Sequence, residues 1–318
     1  MHTFSHKKFK NNCEEYIGTK DKLLVAISSG QDSLCLMQLI NDCINKQSYN
    51  IQAIYIDHQW KKDSFHHTQH IVNIVKAKNI PISIYEIKSL AISENIARRI
   101  RYKTFIKHAI QEKCPVVMTG HHDNDQIETF LYNIIRGTSI SGISNLTLFK
   151  KLNKKVAILR PLINFSKYEI SWFCRLFHLP IWSDMTNYNF SMRRNRIRHE
   201  LIPYLQNYFN PQIKQSIAKF INLCAQENEY IKENTIKLYI LITHKRIISL
   251  NLSKLKKQHR VLKKRVIKLF FYYHFNKQIN NYLINKILIL YKLQKTKTIF
   301  FNGLNIFYLN GKIYIISR

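Results

Sequence analysis

Glycine is scarce in this chain of 318 residues, with only seven, and 19 acidic side chains stand against 50 Lys and Arg. The six cysteines, Cys13, Cys35, Cys43, Cys114, Cys174 and Cys224, are far apart and form no C-x-x-C pair. That spacing excludes the common zinc and iron–sulfur ligand patterns and points to reduced thiols in an intracellular protein. Every apolar run that approaches membrane-spanning length is broken by charges, so the chain reads as soluble, with no membrane partner. The opening Met-His-Thr-Phe-Ser-His-Lys-Lys has neither an apolar core nor a cleavage-like site, unlike a signal peptide. No internal repeat or low-complexity linker is present.

What is present is positive charge, a formal +31. A polyanion is the partner such a balance favours. The abundance of Asn, Ile, Tyr and Phe beside so few glycines is the pattern of an AT-rich genome, so part of the lysine excess is codon drift on a solvated surface. The size of the excess and the clustering of several arginines keep nucleic acid as the leading expectation.

Apolar strands alternate with amphipathic helices through the first two thirds of the chain. Strands are expected near Val25, over 51–56, 82–87 and 116–119, and around 156–159. Helices fall between them, from Leu34 to about Lys46, 65–78, 93–113, 125–136 and, behind a Ser166/Glu169 capping box, to about His178. This pattern predicts an α/β fold with a doubly wound, mainly parallel sheet. Beyond Pro211 the character changes to long Lys-rich helices, about 255–275 and 278–294. A strand at 298–301 follows, then a hairpin over 307–314 with Asn310-Gly311 at its turn. The expected organisation is a domain over 1–215 and a smaller, mostly helical, basic region over 216–318.

Chemistry concentrates first at Val25-Ala-Ile-Ser28-Ser29-Gly30-Gln31-Asp32-Ser33, a strand running into a small-residue turn at a helix start. Backbone N–H groups there can cradle phosphate. Asp32 beside a triphosphate makes sense with Mg²⁺ between them. The loop lacks the Gly-Lys-Ser/Thr ending of a Walker A sequence and is not a G-x-G-x-x-G. Four more segments follow: Ala97-Arg98-Arg99-Ile100-Arg101-Tyr102; Gly120-His121-His122-Asp123-Asn124-Asp125-Gln126-Ile127-Glu128-Thr129; Arg160-Pro161-Leu162; and Asp184-Met-Thr186-Asn187 leading to Arg193-Arg194-Asn195-Arg196-Ile197-Arg198-His199. Asp125 and Glu128 lie on one helical face, as do Arg98 and Arg101. Taken alone, the carboxylates serve equally as helix caps, and the arginines as a solvated face or phosphate forks.

In this order the segments resemble the tRNA(Ile)-lysidine synthetases, a branch of the N-type ATP pyrophosphatases, or PP-loop proteins, over about residues 20–205. The C-terminal third resembles them only in general character. The wording Gln-Asp-Ser-Leu-Cys-Leu, with Ile56-Asp57-His58-Gln59-Trp60, is most similar to the cyanobacterial and plastid branch. One departure stands out, Ser29 in the position of the family's first Gly, tolerable only if its φ stays negative.

The resemblance implies an adenine nucleotide alpha hydrolase-like fold and an ATP-dependent ligase that joins free L-lysine to the wobble cytidine of the tRNA(Ile) with a CAU anticodon. AMP is first placed on the ring oxygen and then displaced by the lysine ε-amine. Ser28, Ser29, Gly30, Gln31, Asp32 and Ser33 would hold ATP, with Asp32 on Mg²⁺. Asp125 and Glu128 would bind lysine, one or the other taking a proton as the ε-amine attacks, and Arg98 would meet the adenylated intermediate or a nearby phosphate. Arg101, Arg193, Arg194, Asn195, Arg196, Arg198 and His199, together with the basic C-terminal helices of 216–318, would hold the tRNA. A plastid stroma is the preferred location and a bacterial cytoplasm the alternative. A homodimer stays open, as do two other readings, a different PP-loop tRNA enzyme such as a thiolase and a tRNA-binding protein without catalysis.

Overall fold

The computed structural model describes residues 3–18, 21–44, 49–57, 64–87, 94–144, 146–182, 190, 192–244, 247–293, 298–301, 303–309 and 311–317. His58-Gln59-Trp60, Ser93, Asp184-Met-Thr186-Asn187 and Asn310 lie outside the described residues.

The chain runs α1 (Phe4–Cys13), β1 (Lys22–Ile27), α2 (Gln31–Cys43), β2 (Asn50–Asp57), α3 (Ser64–Lys76), β3 (Ile82–Glu86), α4 (Glu94–Gln111) and β4 (Val116–Thr119). It continues through α5 (Asp123–Ile135), α6 (Ile140–Ile143), β5 (Phe149–Lys151), β6 (Ala157–Leu159) and α7 (Lys167–Leu176). The strands form one sheet in the order β3-β2-β1-β4-β6-β5, parallel except for the edge strand β5. Alternation along β1 divides its side chains between two cores. Leu23, Val25 and Ile27 face α2 and α7 with Leu36, Phe165 and Phe173, while Leu24 faces the Phe105 and Ala109 side of α4 with Ile54 and Val117. Burial on both faces is what a parallel sheet requires. Strand order reverses at β1, so the crevice beyond the carboxyl ends of β1 and β4 is where this topology places a ligand.

Helix α5 begins at Asp123, ahead of the expected Asp125, because His122 caps it, accepting from the Asn124 N–H while Asp125 accepts from the His122 N–H. The Ser166/Glu169 capping box forms as expected. Past α7, a short α8 (Arg193–Arg196) passes through a π turn (Ile197–Leu201) into α9 (Ile202–Tyr208). Pro203 follows that turn, and its missing N–H and bulky ring disfavour regular α-helical pairing with the preceding carbonyls.

The chain divides into two compact units, 1–225 and 226–318. Helix α10 (Ile213–Ile242), thirty residues long and unanticipated, is continuous through that division. The second unit holds β7 (Ser249–Asn251), α11 (Leu252–Leu255), α12 (Arg260–Phe275), α13 (Asn281–Leu293), β8 (Thr298–Phe301), β9 (Leu304–Leu309) and β10 (Lys312–Ser317). Its four strands make an antiparallel sheet, β7-β10-β9-β8, more extensive than the expected strand and hairpin. Helix α12 starts later than expected, behind His259, and stops where Asn276 turns left-handed at φ 51°. Gly311, at φ 76°, supplies the left-handed residue of the β9–β10 turn. Among the described residues no helix is long and apolar enough to cross a membrane.

Candidate active site

The loop from β1 to α2 is held by its own serines. The Ser33 hydroxyl accepts from the Ser28 N–H at 3.1 Å and lies 2.6 Å from the Ser28 carbonyl and 2.9 Å from that of Gly30. Gln31 is tied to α7 through Ser171 at 3.1 Å. Ser33 and Gln31 therefore shape the loop, leaving its backbone and the α2 N-terminus to face an anion. Ser29 is not among the residues with positive φ, and Gly30, the N-cap, has φ −76°. The loop thus needs no left-handed residue, which is why Ser fits at position 29 without backbone strain.

Glycine is needed elsewhere. A Cβ on Gly120 would stand 3.0 Å from the backbone carbon and oxygen of Asp32 and 3.1 Å from the Ser33 nitrogen. The end of β4 thus touches the phosphate loop backbone to backbone, and only a residue without a side chain permits that approach.

Asp32 opens α2 with both carboxylate oxygens near cations. Lys167 Nζ is 2.6 Å from Oδ1, and His122 Nε2 is 3.6 Å from Oδ2. His122 is buried, which by itself would lower its pKa. Asp125, Asp123 and Asp32 outweigh that and hold it above the ordinary histidine value. The neighbouring His121 goes the other way, pushed down to about 3 by burial, with Arg160, Arg98 and Arg194 adding to the effect against Asp125. Two adjacent histidines are thus shifted in opposite directions. The influence of Arg98 on His121 and on Arg160 places it beside this cluster, whereas Arg101 is exposed.

The arginine-rich segment splits by helical phase. Arg194 and Arg198 turn inward. Arg194 donates Nε to Glu128 at 2.8 Å and Nη2 to Asp125 at 3.0 Å. Arg198 donates Nε to Glu128 Oε1 and Nη2 to Oε2 at 3.1 Å. Glu128 is 0% exposed, so its charge is matched entirely inside the protein. Burial would raise the Asp125 pKa, but His122, Arg194 and His121 outweigh it and hold the carboxyl well below the usual range. Arg193, Arg196 and His199 face outward; Arg196 pairs with Glu200 at 3.0 Å and His199 lies edge-on to Phe190. Asn195 is buried. The four arginines expected to act together on RNA are two inward and two outward groups.

Sequence reasoning missed Lys167, His122, Gly120 and the Trp182 wall. Trp182 donates its backbone N–H to the Ser29 carbonyl at 3.3 Å, and its ring packs on His67 at 4.5 Å between centroids. The His122 and Gly120 signal lay within the quoted Gly-His-His run. Lys167 follows the Arg160-Pro161-Leu162 segment, whose Arg160 is buried and donates to the Thr147 carbonyl at 2.8 Å. Among the described residues, no cluster of three or more His, Cys, Asp or Glu forms a metal cage. Asp32 offers one carboxylate, the donor set of an ion that completes its shell with phosphate oxygens and water.

Residues 1–205 match the PP-loop domain family. The chain is 43% identical to the chloroplastic tRNA(Ile)-lysidine synthase of Gracilaria tenuistipitata var. liui over 99% of each chain. It is 35% identical to the chloroplastic tRNA(Ile)-lysidine synthase of Pyropia yezoensis, covering 91% of this chain and 89% of that one. The tRNA(Ile)-lysidine synthase of Synechocystis sp. is 33% identical over 85% and 83%. Among solved structures, the U34-tRNA thiolase NcsA from Methanococcus maripaludis superposes with a TM-score of 0.59 at 19% identity, over 70% of this chain and 78% of that one, a likeness of fold.

Proposed function

This chain belongs to the tRNA(Ile)-lysidine synthase family of PP-loop proteins, and from that membership we propose that it spends ATP to attach free L-lysine to the wobble cytidine of the CAU anticodon of tRNA(Ile). The observation that carries the reading is the meeting, at one sheet switch point, of the β1–α2 loop with the acidic start of α5, His122 lying 3.6 Å from Asp32 and 3.8 Å from Asp125. The loop suits a triphosphate, and Asp125, which Arg194 also meets, is the carboxylate there that suits an ammonium group.

In this reading the backbone of 28–33 and the α2 N-terminus hold the phosphates of ATP. Asp32 would hold Mg²⁺, which would supply charge neutralisation for the departing pyrophosphate. Lys167, released from Asp32, is placed to take up a phosphate oxygen. Asp125 meets the amino acid. With its pKa depressed it is a poor proton acceptor, so its contribution is negative charge that attracts and orients the lysine ammonium. Glu128, sealed from solvent, acts through Arg194 and Arg198, which it holds against the Asp125 side of the site. Arg98 contacts the adenylated intermediate or a neighbouring phosphate. Arg101, Arg193, Arg196 and His199 line the outward face that meets the tRNA backbone, with Asn195, Arg194 and Arg198 supporting it from within. The plastid stroma is the proposed location, in keeping with the chloroplastic relatives, and a bacterial cytoplasm is the alternative.

The test is incubation of the purified protein with labelled ATP, labelled lysine and the CAU-anticodon isoleucine tRNA. ATP-dependent incorporation of lysine, with AMP and pyrophosphate released, is expected. Adenylation followed by sulfur transfer, or tRNA binding with no ATP turnover, overturns the reading.

A further inference from the structure

The solvent face of the second unit's sheet has no role in the reaction just described. Register fixes what it displays. Tyr314 pairs with Phe307, and Phe307 with Thr298, across β10, β9 and β8; Ile316, Asn305 and Phe300 form the next row. The opposite face, Leu304, Ile306, Tyr308, Ile313 and Ile315, is buried in the unit's core against Phe270, Phe271 and Ile284. On the outer face Phe300 is 65% exposed and Ile316 59%. Ile247 and Ile248, also exposed, wall a cavity of about 670 Å³ over Phe307 and Tyr314.

Charge selects the occupant. Past Glu233 the chain contains no Asp or Glu up to its final residue, Arg318. Lys312 stands on the same face as Tyr314. An aromatic surface in a unit so poor in carboxylates favours a ligand that carries flat apolar rings on a polyanionic backbone. Rings on neighbouring strands of a four-stranded sheet can stack successive unpaired bases, and the backbone needs only nearby cations. Asn305 and Thr298, between the rings, supply hydrogen-bonding groups that a purely apolar protein–protein patch would lack.

We propose that the outer face of the β7-β10-β9-β8 sheet is a stacking platform for unpaired RNA nucleotides, with Phe307, Tyr314 and Phe300 as the stacking rings. That the RNA is the tRNA substrate rests on the function proposed above; the platform itself does not require ATP or lysine.

The test uses the full chain and two labelled probes of the same base composition, a single-stranded RNA octamer and an eight-base-pair RNA duplex. Phe300→Ser and Phe307→Ala are expected each to weaken octamer binding by about fivefold or more, since stacking is worth about 1–3 kcal/mol per base. Tyr314→Phe should keep the wild-type affinity. Duplex binding should be unchanged, and so should the salt slope for the octamer, because a lost stack releases no counterion. Octamer binding unaltered by Phe300→Ser, an exposed position whose change leaves the core intact, overturns the proposal. So does equal weakening for both probes, or self-association of the wild type that Phe300→Ser abolishes. Lysine incorporation is measured in parallel. Its absence together with ring-dependent octamer binding removes the lysidine reading and leaves the platform, while the converse removes only the platform.

Discussion

Arg194 spans both carboxylates of α5, reaching Asp125 with Nη2 at 3.0 Å and Glu128 with Nε at 2.8 Å. The two acids consequently should differ when neutralised. Asp125→Asn removes the charge that would meet lysine, so the KM for lysine should rise about tenfold or more, a charge-assisted contact being worth roughly 1.5 to 3 kcal/mol. Glu128→Gln instead strips two partly buried arginines of their partner, so lysine use should fall together with the melting temperature. In both variants adenylated tRNA should form and persist, which single-turnover kinetics with labelled ATP will show. Wild-type conversion of the adenylate by Asp125→Asn would remove α5 from the lysine site.

At the phosphate loop, Asp32→Asn should slow adenylation by about a hundredfold or more, comparable to losing a transition-state charge stabiliser. Lys167→Gln should raise the KM for ATP with little change in tRNA affinity. Filter binding of tRNA beside pyrophosphate release separates these effects, and normal ATP turnover in either variant would defeat the assignment.

Gly120→Ala and Ser29→Gly should have unequal effects. An alanine methyl at 120 would press on the Asp32 and Ser33 backbone and displace the loop, so binding of a nonhydrolysable ATP analogue should weaken markedly while circular dichroism stays native. Ser29→Gly, at a residue without positive φ, should be close to neutral in kcat and KM. A large loss would give the Ser29 hydroxyl a role of its own.

The outward arginines should carry the salt dependence. Arg193→Ala with Arg196→Ala removes up to two phosphate contacts, so the log–log salt slope of tRNA binding should become shallower by roughly one to two units. Arg194→Ala, whose guanidinium is spent on Asp125 and Glu128, should leave that slope nearly unchanged and lower the melting temperature instead. Equal slopes for the wild type and the double variant would make the outward pair structural.

Acid should loosen the junction between α1 and α7. Glu169 accepts from Lys8 at 2.8 Å and from the Ser166 N–H at 2.7 Å. Burial raises its pKa, but these partners outweigh burial and hold the carboxyl below its ordinary value. A depressed carboxyl stabilises the fold fully above its unfolded pKa, and that contribution fades as pH falls through the folded one. The stability gap between wild type and Glu169→Gln should therefore be largest near neutrality and close below about pH 4. A gap independent of pH would show that the side chain acts by shape alone.

The sheet, its parallel sense and the position of the phosphate loop were readable because strand and helix periods alternate cleanly and the loop residues are contiguous. The capping box at Ser166 was readable for the same local reason. Lys167 was not, since it meets Asp32 only through the packing of α7 on α2, across more than a hundred residues of chain. The inward and outward division of the arginines was equally hidden, because it depends on where the helix that carries them turns and on which face meets α5. Helix α10 was overlooked because Lys, Glu and Asn interrupt its apolar positions, leaving a long pattern with no obvious stop.

The π turn at Ile197–Leu201 lies between the arginine cluster and the rest of its helix. A π turn accommodates one residue more than regular α-helix, and each residue advances the helical phase by about 100°. Adding a further residue within 197–201 would rotate everything upstream by about that angle relative to α9. The guanidinium groups now closing on Glu128 would swing away from it without any of them having been replaced. This stretch therefore tolerates changes of side chain better than an added residue, and a one-residue insertion there should be more damaging than most substitutions around it.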